Sequence, residues 1–320
     1  MEYIYITGGK QYIDKVRPEW FLYEKGIILR LNLLTQKVEK VKEWIKPDKT
    51  KDESIILKSG YRKDGLLYVC SQTEAVVISE ETLETINIYT HPYFNDLHHV
   101  IPSSTENNVL VVSTGLDAVF EINPSNEIIR EWSTHTGDIW DKFDKTVDYR
   151  KVPTTKPHLI HPNHICRFQD QLWVTRLATE DALCLTAKKE NHKMEVGKPH
   201  DGHIYKNNFC YTTVNGYVLM FDAFTGNLSR SINLNNTENS SKTLGWCRGL
   251  HFISEDVFLV GFTRIRNTKF KANLNWIKKS YHDLSKNLPT RIAAFSISEN
   301  RFLYDVNLEK NELDAVFSIL

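Results

Sequence analysis

The chain has 320 residues, 41% of them hydrophobic, which is enough apolar material for one large core or two average domains. Lys plus Arg and Asp plus Glu number 40 each, so no global field draws the protein to nucleic acid or to an anionic membrane, and any partner is recognised locally. The first residues, Met1 to Gly9, carry no basic leader and no long apolar run, and nothing later approaches the roughly 18 apolar residues of a membrane span. Five scattered cysteines without a CxxC pair argue against a disulfide framework and against a thiolate zinc site. The expectation is a soluble cytoplasmic protein with small buried thiols.

In chain order, the predicted elements are short strands rich in β-branched and aromatic residues, closed by Gly, Asn or Asp turns. A hairpin phrase, GIILRLNLLTQKVEKVKEW, runs from Gly26 to Trp44. A second unit begins near Lys58, and the clearest one spans Asp96 to Trp132: DLHHVI, NNVLVVSTG, LDAVFEINPSN and EIIREWS, with its last hairpin turning at Asn123-Pro-Ser-Asn126. Further units begin near His161, His200 and Arg248. VLMFDAFTGNLSRSI restates AVFEINPSNEIIREW, and RIAAFSISENRFLYDVNL restates it again.

Four-strand units of about 40 to 50 residues, each ending in a hairpin, are the signature of propeller blades. The reading is a single all-β domain over residues 1–320, a six-bladed β-propeller whose last blade joins the N-terminal hairpin to a strand at Ala315 to Leu320. Residues 10–21 and 46–53 are irregular, which leaves a seven-bladed count open. Two segments interrupt the repeat, one near 136–157 and one near 267–288, the second with helix-like apolar spacing at Leu274, Ile277 and Tyr281. Both are candidates for loops that lean over one mouth of the axis.

Four blade starts share a composition: Asp96-Leu-His98-His99-Val100, His161-Pro-Asn163-His164-Ile165, His200-Asp201-Gly-His203-Ile204 and Arg248-Gly-Leu-His251-Phe252. Seven of the twelve histidines fall in these segments, far more than even spreading gives. The inner strands of a propeller converge on its axis, so these positions meet although they lie far apart in sequence. Imidazoles gathered there are suited to holding a divalent metal or to serving as general acid and base near neutral pH. Strand alternation sends neighbours to opposite faces, so only one of His98 and His99 is expected to face the axis.

Catalytic roles are expected for His98, His161, His200 and Arg248, with one divalent metal ion on His98, His161, Asn163 and His200. Ligand contacts are expected from Asp96, Asn163, His203, His251 and Trp246, and anion contacts from Arg176 and Arg264. Arginine beside a divalent cation favours an anion between them, hence a hydrolase or lyase acting on a polar, anionic metabolite. The competing expectation is a non-catalytic propeller that binds a protein or peptide through Trp140 and the two insertions. Neither nucleic acid nor a membrane is an expected partner.

HPNHI at His161 to Ile165 resembles the Pro-Asn-Gly turn of the gluconolactonase and senescence-marker superfamily of six-bladed propellers. That resemblance implies a metal-ligand role for Asn163, with His164 standing where glycine is usual. DLHHV, the HPN step, WCRGLHFISEDVFLVGFTRIR (Trp246 to Arg266) and LDAVFSIL (Leu313 to Leu320) resemble an uncharacterised family of bacterial propellers. Residues 1–25 offer no counterpart to the N-terminal metal-binding Glu of the lactonases, so lactonase activity is not implied.

Overall fold

The computed structural model describes residues 2–12, 18–45, 55–237, 243–265 and 287–320. Six four-stranded antiparallel sheets form a six-bladed β-propeller. The first blade joins β1 (Tyr3–Gln11), β2 (Tyr23–Asn32) and β3 (Val38–Trp44) to β24 (Ala315–Ile319), in the order β24-β1-β2-β3. The C-terminal strand is therefore innermost and the N-terminal chain supplies three strands, one more than the expected hairpin. A Cβ on Gly8 would sit 1.8 Å from Ala315 O, so glycine is what lets the two ends approach.

The second blade is β4 (Tyr61–Lys63), β5 (Leu66–Cys70), β6 (Ala75–Ser79) and β7 (Thr85–Tyr89), and the third is β8 (Leu97–Pro102), β9 (Val109–Ser113), β10 (Ala118–Ile122) and β11 (Ile128–Ser133). The fourth is β12 (Pro162–Phe168), β13 (Gln171–Arg176), β14 (Asp181–Cys184) and a stub, β15 (His192–Lys193). The fifth is β16 (Pro199–Tyr205), β17 (Asn208–Thr213), β18 (Tyr217–Asp222) and β19 (Leu228–Asn233). The sixth is β20 (Trp246–Phe252), β21 (Val257–Thr263), β22 (Arg291–Ser296) and β23 (Arg301–Asn307).

Middle strands such as β9 (VLVVS) and β10 (AVFEI) are buried along their whole length because a neighbouring blade covers each face. Outer strands such as β11 keep solvent on one side and remain polar. The apolar clusters accordingly sit between blades, as where Phe94, Val111 and Phe120 of the third blade meet Cys70 and Val77 of the second. No helix among the described residues is long and apolar enough to cross a membrane.

Each inner strand begins at one end of the axis, here the upper end, and there its register slips. The ladder skips a residue between Leu97 and His99, between Pro162 and Ile165, between Pro199 and Gly202, and between Arg248 and Leu250. β24 slips at Phe317, between Val316 and Ser318. A bulge turns the extra residue out of the ladder and re-aims its side chain. Repeated around the propeller, these bulges set His98, Asn163, His200 and Phe317 at equivalent heights.

The 136–157 segment folds back onto its blade. Asn95 Nδ2 donates to Tyr149 O at 2.8 Å and to Val152 O at 2.7 Å, and Ile139 and Tyr149 are buried in the apolar cluster beneath. Of the segment 267–288, only the last two residues lie within the described part of the chain.

Candidate functional site

The upper turn is built by unusual backbone. Asp96 and His161 each precede an inner strand and adopt left-handed φ angles of 50° and 56°. Aspartate tolerates that region; a histidine there costs on the order of 1 kcal/mol and has to be held. Asp117, wholly buried, does the holding: Oδ2 accepts Leu159 N–H at 2.8 Å, and Oδ1 accepts Ile160 N–H at 3.1 Å and His161 N–H at 2.8 Å.

The histidines occupy three levels along the axis. At the top, the His98 ring lies 5.1 Å from that of His161 and 6.0 Å from that of His200, between centroids. One level down, His99 and His164 stack with centroids 4.1 Å apart. Three residues further along their strands from His200 and Arg248 respectively, His203 and His251 face each other at 5.4 Å. Both His98 and His99 are buried, because the bulge at His98 breaks the alternation that would send one of them outward. His99 has both nitrogens committed to backbone, Nε2 to Gly60 O at 2.9 Å and Nδ1 to Ile165 N–H at 3.2 Å, which makes it a strut between blades.

The top-level imidazoles are anchored from behind. His98 Nδ1 donates to Asp96 O at 2.8 Å and His200 Nδ1 donates to Asp201 Oδ2 at 3.0 Å, so in the neutral rings Nε2 carries the lone pair. His161 Nδ1 meets His158 Nδ1 at 2.8 Å. Among the described residues no protein group hydrogen-bonds to Nε2 of these three rings. Burial pushes His98 well below the ordinary histidine range, aided by the Lys58 ammonium, and pushes His161 down to about 3. Burial and the Arg248 guanidinium lower His200. All three are neutral at pH 7.

Two carboxylates and two cations surround them. Lys58, buried, forms an ion pair with Asp96. Burial opposes the charge on Asp96, but Lys58, then His98 and His161, outweigh it and hold the carboxyl far below the usual range. Asp201 is likewise buried, and His200 outweighs the desolvation. Arg248 is different: its Cζ sits 4.3 Å over the Phe317 ring, its Nε is buried without a hydrogen-bond partner, and among the described residues no carboxylate pairs with it.

Several expected contacts lie elsewhere. Arg176 forks onto Asp181 at 2.8 and 2.7 Å and donates to Thr134 O, so its charge is already matched by a carboxylate. Arg264 forks onto Glu309 at 2.7 and 2.8 Å. His203 and His251 belong to the lower level and Trp246 opens β20 half-buried opposite Thr263. Asn163 donates to Pro199 O at 3.3 Å and leaves Oδ1 buried without a partner. Among the described residues no three His, Cys, Asp or Glu side chains group as a metal site, and Lys58 and Arg248 place positive charge beside the imidazoles.

Trp140 is held against Tyr93, with centroids 4.5 Å apart, and donates to Glu131 Oε1 at 2.8 Å, rather than standing free for a partner. His158, Asp117, Phe317 and the Lys58 charge were not singled out from sequence. The His158-x-x-His161 spacing was the available signal for the first; the others carry none.

No family model matches the chain and no curated protein matches it. Its fold is shared with solved structures. A protein of unknown function from Bacteroides caccae superposes with TM-score 0.61 at 15% identity, covering 100% of this chain and 98% of that one. A streptogramin B lyase superposes with TM-score 0.51 at 11% identity, covering 97% of this chain and 90% of the lyase. The likeness is one of six-bladed propeller architecture.

Proposed function

We propose that the upper end of the axis binds a small anionic metabolite through Arg248 and acts on it by proton transfer through His200. The observation that carries this is the state of Arg248, a half-buried guanidinium that rests on an aromatic face with no carboxylate partner among the described residues, beside the His98 and His200 imidazoles, whose Nε2 atoms carry the lone pair. A desolvated, unpaired guanidinium is poised for a bidentate carboxylate or phosphate. The Nε2 lone pairs of His98 and His200 accept O–H or N–H hydrogens from the rest of the ligand.

His200 is the group suited to act as base. Its Nδ1–H is held by Asp201, which orients the ring and stabilises the imidazolium once Nε2 takes a proton, while the positive field of Arg248 keeps it neutral beforehand. An anion seated on Arg248 cancels that field, so ligand binding itself raises the basicity of His200. That a propeller of this shape is a lyase supports an enzyme reading, though the likeness is of fold alone.

Calorimetric titration with inorganic phosphate and small carboxylates tests the anion site. Arg248→Met is expected to weaken the best of these about ten- to hundredfold, the size of hydrogen bonds to a charged group, with the melting temperature little changed. Chelator treatment is expected to leave the affinity unchanged. Equal affinity in wild type and Arg248→Met sinks the proposal, and loss of binding on chelation would return a metal to the site.

A further inference from the structure

Around His161 the hydrogen-bond geometry admits only one proton arrangement. Thr155 Oγ1 lies 2.6 Å from Gly115 O, with Asn95 Oδ1 at 3.5 Å as its other acceptor. Both are oxygens without hydrogens to offer, so the single hydroxyl hydrogen of Thr155 is spent on them. His158 Nε2, 3.3 Å from the same Oγ1, must therefore be the donor in that contact. A neutral His158 that carries its hydrogen on Nε2 presents a bare lone pair at Nδ1. His161 Nδ1, 2.8 Å away, must then supply the hydrogen, which leaves Nε2 as the acceptor of a ring whose centroid lies 5.1 Å from that of His98.

We infer that Thr155 and His158 are positioning residues that fix His161 as the Nδ1–H tautomer, so that all three upper imidazoles offer unprotonated Nε2 atoms toward one place. Gly115 O, the start of this chain of hydrogen bonds, lies in the turn between β9 and β10, and Asp117 of the same turn clamps the backbone of His161. One turn thus sets both the ring's position and its proton. The same path moves charge: a proton arriving at His161 Nε2 releases the Nδ1 hydrogen to His158 Nδ1, so the cation ends on His158, half-buried at the rim, and His161 returns to neutral with its hydrogen on Nε2. The functional use of this arrangement rests on the axial site proposed above; the arrangement itself does not.

The test is ¹⁵N correlation spectroscopy of histidine-labelled protein at pH 8, with the His158 and His161 signals assigned by their loss in His158→Gln and His161→Gln. His161 is expected as Nδ1–H and His158 as Nε2–H in the wild type and in Thr155→Ser, which keeps the hydroxyl. In Thr155→Val the His158 Nε2–H loses its acceptor, and the pair is expected to shift toward the reversed arrangement, with His161 gaining Nε2–H character. His161 found as Nε2–H in the wild type, or a tautomer pair indifferent to Thr155→Val, overturns the inference. Because the readout needs no ligand, anion titrations that fail while these tautomers hold would remove the proposed function and leave the inference standing.

Discussion

Acidification below pH 6.5 is expected to unfold the protein over a narrow range, with the fold lost by about pH 4.5. Ten of the twelve histidines are held below their ordinary range. Burial is the largest cause in each, and it takes His99, His192, His203 and His251 to about 4. A group whose folded pKa is depressed is indifferent to pH above its unfolded value, about 6.5 for histidine. Below that value the unfolded chain binds protons that the native state refuses, and stability falls until the folded pKa is reached.

Each fully responding histidine removes up to about 1.4 kcal/mol per pH unit. Against a typical domain stability of roughly 5–15 kcal/mol, five such groups are enough to abolish the fold within about two units. The carboxylates add nothing to this loss in the same range, because Asp96 and Asp201 begin to lose their contribution only below the unfolded carboxylate range, about 3.9. Tryptophan fluorescence across a pH series, with proton uptake measured by calorimetry in two buffers, reads both the midpoint and the number of protons. A native spectrum persisting at pH 4.5, or unfolding with uptake of one proton or fewer, would mean that the buried imidazoles are hydrated or charged in the native state.

The blades were legible because their signals are local. Fully buried middle strands such as AVFEI, polar outer strands such as IIREWS, and the turn at Asn123-Pro-Ser-Asn126 recur with a period no other all-β architecture gives. The first blade was harder, since its inner strand comes from the other end of the chain and pairing over that separation leaves no local mark. The convergence of His98, His161 and His200 followed from the repeat alone. What the repeat could not supply was height along the axis: His203 and His251 stand in the same blade-start phrases, and three residues of strand carry them to another level.

The bulges were also invisible, because a residue skipped by the ladder looks like any other, so the choice between His98 and His99 could not be made by alternation. Arg176 could have been set aside from sequence, its partner Asp181 lying five residues on, whereas Glu309 is 45 residues from Arg264. His158 escaped notice because it stands one residue past the boundary drawn for the 136–157 insertion. Its value becomes apparent only when Thr155 and His161 are seen on either side of it.

Replacing Asp201 with alanine is expected to be among the most damaging single changes in the chain, for reasons of assembly as well as chemistry. The carboxylate accepts Gly249 N–H at 2.8 Å and His200 Nδ1–H at 3.0 Å on Oδ2, and Ser59 Oγ lies 3.0 Å from Oδ1. The Asp201 side chain of β16 thus ties the fifth blade to the sixth and to Ser59, whose Oγ is also 2.9 Å from Phe317 O of the C-terminal strand that closes the ring. Its removal strands a buried backbone N–H and an imidazole N–H, while the Ser59 hydrogen keeps Phe317 O as acceptor, a loss of about 3–5 kcal/mol by the usual cost of breaking a buried charged network. For a chain of this size that is a fall in melting temperature of roughly 10 °C. Asp201→Asn is expected to lose less: it keeps the shape, but its amide hydrogens oppose either the donors on Oδ2 or that on Oδ1. Thermal melts at pH 8, where no histidine or carboxylate titrates, isolate the effect from acid sensitivity. A shift below about 3 °C in Asp201→Ala would mean that the blades are held by their apolar interfaces alone, and that Asp201 is kept for the proton chemistry of His200 rather than for closure.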